Sequence, residues 1–74
     1  MNATARTIKT PTEYHTPAGL YRASLHVIEN LSGPRRLSWM LSALEHAETT
    51  LNCPDLRDAI AQQFRERAGL MASR

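Results

Sequence analysis

Three prolines, each set just behind a helix-capping residue, divide this 74-residue chain into three stretches of helical periodicity. Thr16 precedes Pro17, Ser32 and Gly33 precede Pro34, and Asn52 and Cys53 precede Pro54. Threonine, serine and asparagine side chains accept from the open N–H groups of a first turn. Proline fits there because its missing N–H would have no partner anyway. This punctuation predicts helices from Pro17 to about Leu31, from Pro34 to about Leu51 and from Pro54 to about Ala68. Gly33 can take the left-handed conformation that closes a helix, and so short a joint forces a tight corner or an antiparallel hairpin. The expected fold is all-α: a helical hairpin plus a third helix, with an extended N-terminal arm.

The apolar residues say how those helices must be covered. At 100° per residue, Leu20, Ala23, Val27 and Leu31 form one row on the first helix, with Tyr21, Leu25 and Ile28 beside it. On the second helix Leu37, Met40, Leu41, Leu44, Ala47 and Leu51 form a stripe that Trp39 and Ala43 widen. Each arc spans roughly 200°, where a surface helix needs little more than ~100°. Arg22, His26, Glu29 and Asn30 mark the wet side of the first helix; Ser38, Ser42, His46 and Thr49 mark that of the second. The third helix has the narrow stripe Leu56, Ile60 and Phe64, extended to Met71 if it continues past Gly69. A chain this short buries only about 60% of its unfolded surface and usually needs a supplement. Its one cysteine, Cys53, cannot form an internal disulfide. A second polypeptide is the expected supplement, and the helical unit, residues 17–74, is expected to be a homodimer.

Residues 1–16 carry Thr4, Thr7, Thr10, Thr12 and Thr16, with only Ile8 and Tyr14 as larger apolar side chains. They bury too little to offset their ordering entropy, which predicts a flexible arm. Thr7-Ile8-Lys9-Thr10 would suit a short edge strand ended by Pro11. Nine Lys and Arg against seven Asp and Glu give a net charge of +2, a weak field for nucleic acid. No apolar run is long enough for a membrane span or a signal peptide, and a single unpaired cysteine suits a reducing compartment, so the expectation is a cytoplasmic protein without membrane contact.

Few residues invite chemistry. Arg35 and Arg36 stand at the N-terminus of the second helix, and Glu45 and Glu48 near its C-terminus, so both pairs oppose the helix dipole. They read either as a patch for an acidic partner or phosphate backbone, or as charges paired within the chain, with Glu29 or an aspartate of the third helix. Trp39, at the rim of the apolar arc, suits an interface anchor or a core residue with its indole N–H turned to water. His15, His26, His46 and Cys53 fall in no metal-ligand spacing, and Cys53 at a helix N-terminus has no base placed for it by the sequence. No catalytic, metal or cofactor site is expected, and the chain reads as a non-enzyme.

A helix-turn-helix over residues 34–68 is the competing reading, with Arg57, Arg65 and Arg67 facing DNA. Asp55 and Asp58 open the would-be recognition helix and repel phosphate, and the turn lacks glycine. In size and layout, though in no motif, the chain resembles the short helical accessory proteins of bacteria and temperate phages. That resemblance implies docking on a larger host protein, such as a transcription regulator or a defence complex, and blocking or redirecting it. The expected function is a protein–protein interaction module of this inhibitor or anti-activator type. The expected contact comprises Tyr21, Leu25, Trp39, Met40 and Ala43, with Arg22, Arg35 and Arg36 supplying orientation and on-rate.

Overall fold

A computed structural model describes residues 8–68. Among these residues three helices, α1 (Pro17–Asn30), α2 (Gly33–Glu48) and α3 (Pro54–Ala68), follow a 3₁₀ turn, Pro11–Glu13. Among the described residues there is no strand, so the pairing considered for Thr7–Thr10 does not form within residues 8–10; Thr7 lies outside the described residues. α2 packs against α1, α3 and the 3₁₀ turn, and so forms the hub of a slab 35 × 32 × 17 Å in extent.

Each helix begins at its proline or, for α2, one residue before it. Thr16 Oγ1 accepts from Gly19 N–H at 3.1 Å, and Pro17 occupies the first turn of α1. Gly33 takes φ 62°, the left-handed value for which glycine carries no steric penalty. Ser32 precedes α2 without a side-chain capping bond. α2 stops at Glu48, three residues before Leu51, because its end is closed by backbone bonds. The N–H groups of Leu51 and Cys53 donate to the carbonyls of His46 and Ala47, at 3.0 and 2.8 Å. Asn52 makes this closure with φ 52°, a conformation asparagine tolerates better than most residues. It serves as the turn rather than as a cap for α3; the Cys53 carbonyl accepts from Leu56 and Arg57 at 3.0 and 3.2 Å.

The core is one cluster drawn from all three helices. Leu20, Val27, Met40, Ile60 and Phe64 are enclosed almost completely, with Ala43 and Ala47 between the larger side chains. The stripe Leu56, Ile60 and Phe64 is buried as its spacing predicts; Met71 lies outside the described residues. Arg22, His26, Glu29 and Asn30 are all exposed, so the wet side of α1 is where its sequence puts it. Buried Ser24 donates its hydroxyl to the Tyr21 carbonyl at 2.6 Å, which satisfies it inside the helix.

α2 is rotated from the orientation its leucines suggest. His46, expected to face out, is 6% exposed, while Leu37 and Leu41, expected in the apolar stripe, are 42% and 56% exposed. Residues 8–14 cause the rotation. Trp39 Nε1 donates to the Lys9 carbonyl at 2.8 Å, and His46 Nε2 donates to the Tyr14 carbonyl at 2.7 Å. Trp39 and His46 are seven residues apart, two helical turns, so they share one face of α2 and grip the incoming chain at two points. Between those points Glu13 accepts from the Thr10 N–H and hydroxyl at 3.3 and 3.0 Å, and Pro11 is buried. The flexible arm expected for residues 1–16 is therefore corrected over 8–14, which lie fastened along α2, and at Thr16, which caps α1. Residues 1–7 lie outside the described residues.

Arg36 explains one of the four charges that oppose the α2 dipole. Its Nε donates to the Leu31 carbonyl at 2.8 Å and its Nη2 to the Ile28 carbonyl at 3.2 Å. The guanidinium sits at the positive end of α2 but also at the negative end of α1, where it satisfies two carbonyls of the last turn. Neither intrachain partner named from sequence, Glu29 or an aspartate, is used. Arg36→Ala is expected to cost about 1–2 kcal/mol, the range for half-exposed charge-assisted bonds, in urea unfolding followed by circular dichroism. Arg36→Lys should recover only part of it, because one ammonium cannot reproduce the two-pronged contact.

Candidate interaction site

The eight residues expected to form one contact are dispersed. Met40 and Ala43 are 1% and 0% exposed and belong to the core, and Trp39, at 8%, lies under residues 8–14. The exposed apolar contact expected from these three is thereby corrected: the chain covers them itself. Tyr21 and Leu25 are half-buried and pack on the core, and Arg36 is engaged with α1. Of the eight, only Arg22 and Arg35 are exposed.

Two other surfaces take their place. The first is the outer face of α2, where Leu37 and Leu41 are the exposed large hydrophobic side chains among the described residues. They stand on consecutive turns, beside half-buried Leu44. Glu48 borders them and pairs with Arg57 at 3.0 Å. Asp58, also 3.0 Å from Arg57, and Glu48 together hold that guanidinium further above its already high ordinary range.

The second surface is an open groove of about 550 Å³ between residues 8–11 and the N-terminal half of α2. Ile8, Pro11, Leu31, Pro34 and Trp39 supply its apolar lining, and Lys9 and Arg35 its charge. Sequence reasoning missed this groove because one wall is the segment read as disordered. The available signal was the pair Trp39 and His46, two polar-tipped rings at matching positions two turns apart, facing something that accepts hydrogen bonds.

His15 and His26 are exposed, His46 is buried and Cys53 is half-buried. Among the described residues no three His, Cys, Asp or Glu side chains come together as a metal-ligand group. No described helix is long and apolar enough to cross a membrane. In the would-be recognition helix α3, Arg57 is paired with Glu48 and Asp58, and Arg67 lies 3.8 Å from Glu29. Two of its three arginines are thus already committed to carboxylates. Compared with protein-family models, characterised proteins and solved structures, the chain finds no match. What it does must be argued from its own surface, that of a small all-α protein.

Proposed function

We propose that this chain is a non-enzymatic interaction module. Its α2 outer face docks on another polypeptide, a second copy of itself and then a larger regulatory or defence protein whose action it modulates. One observation carries the reading: Leu37 and Leu41 stay 42% and 56% exposed although the same helix buries Trp39 and His46. Covering both leucines on association would yield on the order of 1–2 kcal/mol by area, a useful anchor within a larger contact. The Glu48–Arg57 pair at the border gives that contact a polar rim.

A role on DNA is less well supported, because the α3 arginines are largely paired and Asp55 stands in the positive first turn. The test is a Leu37→Glu, Leu41→Glu double variant. It should keep its helical circular dichroism, sediment as a monomer where the wild-type chain associates, and lose the partner the wild type captures. A wild-type chain that stays monomeric at ~100 μM and captures the same proteins as the variant would refute the reading.

A further inference from the structure

The groove between residues 8–11 and α2 belongs to a different side of the molecule. Ser38 and Ser42 line it, and they stand roughly a third of a turn around α2 from Leu37 and Leu41. Its lining includes two cations and no carboxylate. Neither Lys9 nor Arg35 makes an ion pair among the described residues, whereas Arg57 and Arg67 both do. All seven Asp and Glu residues of the chain lie between Glu13 and Glu66. The segments outside the described residues, 1–7 and 69–74, contribute no acidic side chain and add Arg6 and Arg74. The counter-charge for this groove is therefore not among the chain's own side chains.

We propose that the groove is a docking site for a short acidic peptide segment of another protein, one in which carboxylates flank a large apolar residue. The apolar residue would rest on Ile8, Leu31 and Pro34, the accessible apolar part of the lining, and the carboxylates would meet Lys9 and Arg35. Pro34 and Arg35 belong to the first turn of α2, so the positive end of the helix reinforces the same preference. The α2 wall from Pro34 to Ser42 is about 12 Å long at ~1.5 Å per residue. It therefore accommodates roughly four residues of extended peptide. A nucleic-acid strand is the poorer occupant, because two cations give little of the multiple phosphate neutralisation on which such binding depends.

The experiment selects displayed random dodecapeptides on the full-length chain. The enriched peptide is then titrated in free form, with the emission of Trp39, the single tryptophan, as the readout. Enrichment of acidic–apolar–acidic sequences is expected. Lys9→Ala with Arg35→Ala should weaken binding about tenfold, and the Asn/Gln version of the peptide should bind comparably weakly. Lys9→Glu with Arg35→Glu should instead prefer a lysine version of the peptide, and both positions are exposed enough that thermal melting should be unchanged. The Leu37→Glu, Leu41→Glu variant should bind the peptide as the wild type does. Loss of binding there, with retention in the charge variants, would place the peptide on the leucine face and overturn this inference without touching the proposed function. Failure to enrich acidic sequences would overturn it as well. So would displacement of the peptide by an oligothymidylate of equal charge.

Discussion

Phe64→Ala is expected to lower the unfolding free energy by about 3–5 kcal/mol. Phe64 is the largest of the fully enclosed side chains, and with Leu56 and Ile60 it makes up nearly all that α3 contributes to the core. The ring cannot be replaced by neighbours sliding inward, because Ala43 and Ala47 on α2 are too small to fill the space. A chain of 74 residues has a total stability of about 4–11 kcal/mol at typical per-residue values. The variant should therefore be substantially unfolded if the wild type lies near the low end of that range, and lose roughly a quarter to a half of its margin at the high end. Phe64→Leu, which keeps most of the volume, should cost only about 1–1.5 kcal/mol. Urea midpoints from circular dichroism measure both. A Phe64→Ala midpoint indistinguishable from wild type would mean that α3 is not packed on this core.

Trp39→Ala is expected to cost about 3–4 kcal/mol and to release residues 8–14 from α2. The indole does two separable things: it fills the space beneath the arm and it donates to the Lys9 carbonyl. Trp39→Phe keeps much of the first and removes the second, and should cost about 1 kcal/mol. Trypsin offers an independent readout, because the carbonyl that Trp39 holds is the one attacked when the chain is cut after Lys9. Cleavage there should be slow in the wild type and about fivefold faster in Trp39→Phe, the factor that corresponds to ~1 kcal/mol. Trp39→Ala should be cut faster still. Equal cleavage of all three proteins would show that the arm is not fastened through this bond.

The helix starts were legible because their signals are local: the prolines, helped at α1 by the Thr16 cap, act within one turn, whatever the rest of the chain does. The narrow stripe of α3 was legible for a related reason, since only one arrangement buries Leu56, Ile60 and Phe64 together. The end of α2 was read too far, because Thr49, Thr50 and Leu51 contain no glycine and the left-handed turn falls to Asn52. The rotation of α2 was hidden for another reason. Its wide arc offered two choices, and the weight of Leu37 and Leu41 pointed away from the one adopted. What decided it was the capture of two carbonyls from a threonine-rich segment, and composition records side chains, not acceptors that every residue carries. Arg36 was misread likewise: a search for opposite charges overlooks the last carbonyls of a neighbouring helix.

Trp39 and His46 hold residues 9 and 14 by main-chain oxygens; Tyr14 also packs its ring on the core, but at position 9 the side chain is exposed and plays no part in the grip. The side chain at position 9 lines the groove while its own carbonyl keeps the wall in place. Swapping that side chain retunes what the molecule attracts and leaves its architecture alone. Position 9 is an exchangeable fitting on a fixed mount, a natural place to engineer new binding preferences into so small a scaffold.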